Sequence, residues 1–199
     1  MTLAQLRCRC GTVHGTVDVA PRSGLQLVCY CADCRAFAHA LERPDLLDAG
    51  GGSGVFITTP ARVRLAGGLE QLRVLRLSPG GMFRWYWSCC NSPLANTMDG
   101  AGIPAISLHR SSIVIDDAAA LGPVTGVNAR AATGPVDAHA EQTTSLSTMA
   151  RIIGFLLKGW LRGAAKPNPL YIDGKPRCAP RVLDAAERAA LDARARLSV

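Results

Sequence analysis

The sequence predicts a mainly β fold of small antiparallel sheets, followed by an α-helical C-terminal extension. Three observations carry this reading. From Leu3 to about Ile115, short apolar runs alternate with glycine and proline turns. Seven of the eight cysteines fall in three tight clusters, Cys8-Arg9-Cys10, Cys29-Tyr30-Cys31-Ala32-Asp33-Cys34 and Cys89-Cys90. Beyond about residue 144, apolar residues recur at three- and four-residue steps, the period of a helix.

Taken in order, the spacing predicts strands over 3–8, 13–19, 26–31, 54–58, 62–65, 72–77 and 83–88. Gly11, Pro21, Gly24, Gly50 to Gly52, Pro60, Gly67-Gly68 and Pro79-Gly80-Gly81 punctuate them. Residues 35–48 read as one short helical turn, limited by Pro44. The stretch 116–140 is rich in Ala, Gly and Pro and reads as a linker or loose loop. In the helix that follows, Leu146, Met149, Ile153, Leu156 and Trp160 form one stripe, with Arg151, Lys158 and Arg162 on another face. Thr144 or Ser145 is placed to cap it. Gly154 and Gly159 each weaken it by about 1 kcal/mol relative to alanine, so packing must hold it. The stripe is expected to cover a core in preference to a membrane surface. Lys166-Pro167-Asn168-Pro169 breaks the helix, and Asp184 opens a last one over 184–197. The chain thus divides into a β domain at 1–130 and a basic helical extension at 131–199 packed on it.

With 199 residues, 48% hydrophobic and 19% charged, the chain can bury a core and is not of disordered composition. No run of about 18 apolar residues is present, so no transmembrane span is expected. The first residues lack the apolar stretch of a secretory signal, which points to the cytoplasm, where disulfides seldom persist. Metal ligation is therefore favoured over disulfides. Net charge is +7, and residues 151–199 carry ten of the 22 Lys and Arg against four acids. Such a tail could meet nucleic acid, anionic lipid or an acidic partner, but a solvated helical surface is the favoured reading.

Clustered thiolates suit a soft ion, and zinc is the default because it takes four ligands tetrahedrally. Cys29, Cys31 and Cys34 supply three ligands from one stretch and would leave a position open, where a further sulfur could bind. Cys8 and Cys10 with Cys89 and Cys90 would make a closed, structural shell. Asp33 and Arg35 either orient ligands of the open site or are ordinary turn residues. Cys178 reads as a free thiol. None of His14, His39, His109 and His139 has a ligand spacing to a cysteine, although a helical turn could bring His39 to the open site. Trp85, Tyr86 and Trp87 could stack on a ligand and are expected to pack in a core. Redox cycling at Cys31 and Cys34 is disfavoured, because no strand-to-helix setting for them is evident.

Cys8-Arg9-Cys10-Gly11, Cys29-Tyr30-Cys31-Ala32-Asp33-Cys34-Arg35 and Cys90-Asn91-Ser92-Pro93-Leu94 are similar in order and spacing to the family of glutathione-dependent formaldehyde-activating enzyme (GFA) and centromere protein V (CENP-V). The glycine-rich segment 48–56 also resembles a lead-in to a strand in that family. The likeness covers about residues 3–100. It implies a zinc-stabilised β-tent with a structural site at Cys8, Cys10 and Cys90 and a catalytic-type site at Cys29, Cys31 and Cys34. It further implies a carbon–sulfur lyase acting on adducts of glutathione or similar thiols. Trp87 stands where the late C-x-x-C of the family has its first cysteine, and Cys89 is taken as the fourth structural ligand. The tail after about residue 130 is outside the common core and resembles an extension in uncharacterised bacterial branches. The expectation is two Zn²⁺ per chain and a small thiol or glutathione adduct as partner, ahead of nucleic acid or a membrane surface. The alternative is a non-catalytic zinc-binding module whose basic tail binds a protein, nucleic acid or membrane.

Overall fold

A computed structural model describes residues 2–20 and 22–197; Met1, the expected turn residue Pro21, Ser198 and Val199 lie outside them. The chain runs β1 (Thr2–Arg7), β2 (His14–Val19), β3 (Leu25–Cys29), α1 (Ala32–Ala40), β4 (Ser53–Thr58), β5 (Val63–Gly67), β6 (Leu72–Arg76), β7 (Phe83–Trp87), β8 (Ser92–Thr97), β9 (Ile106–His109), β10 (Ile113–Val114) and β11 (Val124–Val127). It continues through α2 (Leu146–Leu161), β12 (Tyr171–Ile172), β13 (Lys175–Pro176), β14 (Arg181–Val182) and α3 (Ala185–Leu197). The fold is mainly β with a helical C-terminal part, as the alternation of runs and turns predicts.

Strands β10-β1-β2-β5 form one sheet and β11-β3-β4-β9-β8-β7-β6-β14 a second; β12 and β13 pair alone. Alternate residues of β1 and β2 (Ala4, Leu6, Val17, Val19) meet Phe56, Val74, Phe83, Trp85, Trp87, Leu94 and Leu108 of the larger sheet in one dry core. The other face of that sheet carries α1 and α3 over Leu75, Leu77 and Leu183, and α2 over Leu27, Val55 and Ile57. Helices therefore cover one side and a small sheet the other. Trp85 and Trp87 are wholly buried and pack in the core, as expected.

Four expectations are corrected. The larger sheet is mixed, because β11 runs parallel to β3 and β14 parallel to β6 at its two edges. The segment 116–140, expected to be a linker, supplies β11. The helical turn expected within 35–48 is a nine-residue helix that starts earlier, at Ala32. Finally, the apolar stripe of α2 does not cover the core: Leu146, Met149, Ile153 and Trp160 are exposed, Leu156 is half-buried, and Leu157 and Leu161 extend the exposed face. The buried residues of that helix are Thr148 and Gly159, with Ile152 and Phe155 packed on the sheet below. Gly159 allows this seating, since a Cβ there would lie 2.8 Å from Cβ of Pro104. The Ser145 hydroxyl caps α2 by accepting from Thr148 N–H at 3.2 Å. At α3, Asp184 accepts from Glu187 N–H at 2.8 Å while Glu187 accepts from Asp184 N–H at 3.0 Å, a reciprocal capping box.

His109 ends β9 in the core, edge-on to Phe37 at 5.7 Å between ring centroids. Burial first, and the Arg84 guanidinium second, hold its imidazole neutral, with a pKa lowered to about 3. The unfolded chain, whose histidine titrates near 6.5, then binds the extra proton below that pH. Stability from this group is complete above pH 6.5 and falls as pH drops toward 3. Denaturant melts of His109→Gln should lose less stability on acidification than the unmodified protein, by up to about 1.4 kcal/mol per pH unit between pH 6 and 4.

Candidate metal centres

The first centre is built by two hairpin turns. Between β1 and β2, Cys8 N–H donates to Val13 carbonyl at 3.1 Å and Gly11 N–H to Cys8 carbonyl at 3.1 Å. This curl turns Cys8 and Cys10 to one side, with Gly11 at φ 81°. Between β7 and β8, Trp87 pairs with Ser92, and Asn91 takes the left-handed conformation (φ 51°) that tightens the loop. Both Cys89 and Cys90 then face the first hairpin. The Sγ atoms of Cys8 and Cys10 are 3.4 Å apart, Cys10 and Cys89 3.4 Å, Cys8 and Cys89 3.7 Å, and Cys89 and Cys90 3.8 Å. A tetrahedral zinc with Zn–S bonds of about 2.3 Å spaces its sulfurs by about 3.8 Å, whereas a disulfide would need about 2.05 Å. The four thiols are free and fit an ion. Ser92 braces the turn: its hydroxyl accepts from Arg9 N–H at 3.0 Å and lies 3.1 Å from Cys90 Sγ.

The second centre sits where β3 gives way to α1. Cys29 is the last residue of the strand, Cys31 is the N-cap of the helix and Cys34 lies in its first turn, with its N–H donating to Cys31 carbonyl at 3.1 Å. The three sulfurs lie within 4.8 Å of one another. Among the described residues, no fourth His, Cys, Asp or Glu ligand joins them within that distance. Asn128 Nδ2–H points to Cys29 Sγ at 3.6 Å, reaching it from the end of β11. The strand-to-helix setting thought to be lacking for Cys31 and Cys34 is present, and the positive end of the α1 dipole faces the sulfurs. Its signal was in the sequence, in the alanines at 32, 36, 38 and 40. Asn128 left none, because its part depends on the pairing of β11 with β3.

The electrostatics separate the thiols within each group. Donation from Cys31, then Cys34, holds Cys29 far below the usual thiol range, and Cys34 is correspondingly pushed up by Cys29 and Cys31. In the first group the Thr12 hydroxyl, its backbone, and the neighbouring thiols lower Cys10 to about 6, while burial and Cys10 push Cys89 up. Each cluster thus holds one of these sulfurs anionic and another protonated, Cys31 also being pushed up by Cys29, so a metal would displace protons on binding.

The remaining candidates go elsewhere. His39 is buried on α1, its pKa lowered by burial and then by Arg194 and Arg35, and no histidine belongs to either sulfur group. His14 lies against Gly67, and His139 is exposed. Cys178 packs against the main core and belongs to neither group. Asp33 and Arg35 are neither ligands nor simple turn residues, for both tie α3 to the second centre. Arg35 is buried and donates to the carbonyls of Tyr30 (2.6 Å), Ala131 (2.7 Å) and Ala195 (3.1 Å), the last near the C-terminus of α3. Asp33 pairs with Arg188 of α3 at 2.7 Å and with Arg84 of β7 at 3.7 Å. Being half-exposed, the Asp33 pairs add only about 0–1 kcal/mol. The loop before β4 backs Arg35: Gly51 has φ 76°, and a Cβ there would lie 2.9 Å from Arg35 Cδ.

A family model matches residues 1–180. The chain belongs to DUF6151, a family of unknown function. The match spans both sulfur groups and α2, and ends before α3. No curated protein matches the chain. Among solved structures, a crystal structure of a Rhodobacter sphaeroides protein is similar over 62% of this chain and 99% of its own, at 14% identity and a TM-score of 0.43.

Replacing Arg35 by Met should leave the Tyr30, Ala131 and Ala195 carbonyls short of a donor and cost about 3 kcal/mol or more in urea denaturation. Amides of α3 should lose hydrogen-exchange protection first, while those of β1 and β2 keep theirs.

Proposed function

We propose that the protein is a two-zinc protein whose four-sulfur centre holds the fold and whose three-sulfur centre binds a small thiol or thiol adduct, making or breaking a carbon–sulfur bond. The single observation that supports this is the inequality of the two groups, four sulfurs in one and three in the other. An all-thiolate donor set of this spacing favours zinc. The likeness of the cysteine pattern to GFA and CENP-V proteins supports the same reading and supplies glutathione-type adducts as the substrate class.

Cys8, Cys10, Cys89 and Cys90 would hold the first ion, and Cys29, Cys31 and Cys34 the second. At the second centre the ion would supply Lewis acidity and affinity for a substrate sulfur. The chain's own residues prepare that position. The first turn of α1 offsets the negative charge of the thiolates with its N–H dipoles, and Asn128 adds an N–H to Cys29. Asp33, between Arg84 and Arg188, fixes the start of α1 and with it the spacing of Cys31 and Cys34. Arg35 closes the turn from beneath by holding the Tyr30 carbonyl.

Metal analysis of the purified protein should find about two zinc ions per chain. Cys31→Ser should remove one and leave the circular-dichroism spectrum and melting cooperativity largely unchanged. Cys10→Ser should remove the other and unfold or aggregate the protein, because a structural zinc supplies about 10–16 kcal/mol, as much as the whole net stability of a domain. In cobalt-substituted protein, glutathione should shift the d–d bands of the unmodified chain and leave those of Cys31→Ser unmoved. If Cys31→Ser unfolds as readily as Cys10→Ser, or no thiol moves the spectrum, the reading of an open centre fails.

A further inference from the structure

The apolar stripe of α2 is left bare. Leu146, Met149, Ile153, Leu157, Trp160 and Leu161 are each between 43% and 90% exposed. At 3.6 residues per turn they fall within an arc of about 120°, so they form one continuous face. The helix seats its opposite side on the sheet, through Thr148, Ile152, Phe155 and Gly159. Arg151, Lys158 and Arg162 line one flank of the bare face, and residues 142–172 contain four Lys and Arg and no acid. Beside that flank lies a cavity of about 100 Å³ between α2 and the β-domain, lined by Arg22, Arg62, Lys158 and Arg162 with the hydroxyl residues Ser23 and Thr59. No acidic side chain lines it, and none of its four cations forms an ion pair among the described residues.

We propose that α2 docks the protein on an anionic phospholipid surface, its stripe entering the boundary between headgroups and acyl chains and the four-cation cavity taking a lipid phosphate. An amphipathic helix with a basic flank lies in such an interface without crossing it. No helix among the described residues is long and apolar enough to span a membrane. Trp160 suits the depth: its ring is exposed, while its Nε1–H donates to Gly102 carbonyl at 3.0 Å and so is already satisfied. Charge selects lipid over a second copy of the chain. Self-pairing through the stripe would bring a duplicate set of cations to the seam, with no carboxylate on α2 to meet them. The docking surface is independent of the metal centres.

Trp160 also reports the test, because Trp85 and Trp87 are wholly buried. The metal-loaded full chain is floated with vesicles of pure phosphatidylcholine and of phosphatidylcholine mixed with phosphatidylglycerol. Association is expected with the mixed vesicles, with a blue shift of Trp160 emission and quenching by brominated acyl chains. Lys158→Gln with Arg162→Gln should weaken it more than about tenfold, each cation near the surface being worth about fivefold. The triple change Met149→Gln, Ile153→Gln, Leu157→Gln touches only exposed positions and should abolish the shift while zinc content and melting stay unchanged. The proposal is overturned if the folded protein ignores both vesicles, or binds both equally. It is likewise overturned if inorganic phosphate binds without vesicle association, or if the chain dimerises in a way the triple change disperses.

Discussion

Two sheets of unequal size face each other across one apolar core, and their hairpin ends are brought to contact by four sulfur atoms. Cys8 and Cys10 belong to the turn of the small sheet, Cys89 and Cys90 to a turn of the large one, and the gaps between neighbouring sulfurs are 3.4–3.8 Å. Four thiolates that close would repel one another strongly without a cation between them. In the proposed function, an ion between them would join the layers at this end. Further from it, the buried tryptophans and leucines join the layers by apolar contact.

The second sulfur group depends on a different constraint, the direction of a helix. Cys31 caps α1, so the placement of Cys31 and Cys34 follows the pose of that helix on β7 and α3. Phe37 packs under it, the Arg84 guanidinium lies 5.5 Å from the centre of the Phe37 ring, and Arg35 collects carbonyls from three segments. The C-terminal helix, basic though it is, is thus part of the support of this turn and not a free arm. The family match ends at residue 180, ahead of this helix.

Much of this was legible in the residues. Period-two runs and turn glycines placed β1 to β7 to within about two residues, and the cysteine spacing alone sorted the seven thiols into a four and a three. What the sequence hid was set by tertiary packing. Strand β8 begins Ser92-Pro93 and contains Asn96, which read as turn chemistry, yet all six of its residues are buried. Strand β11 is a short edge piece held by its parallel partner. The sequence of α2 shows its helical period but not which face it buries. A helix that seats itself through Gly159, Thr148 and Phe155 shows the sheet its smaller and more mixed side, and hydrophobicity cannot tell that side from the stripe.

The four sulfurs of the interlayer joint are unequally sheltered. Cys8 is closed off by the core, whereas Cys10 and Cys89 sit at the rim. A competing chelator would meet those two first and Cys8 last. An ion held there would be open to attack from that rim, and Cys8 would be the last sulfur to let it go.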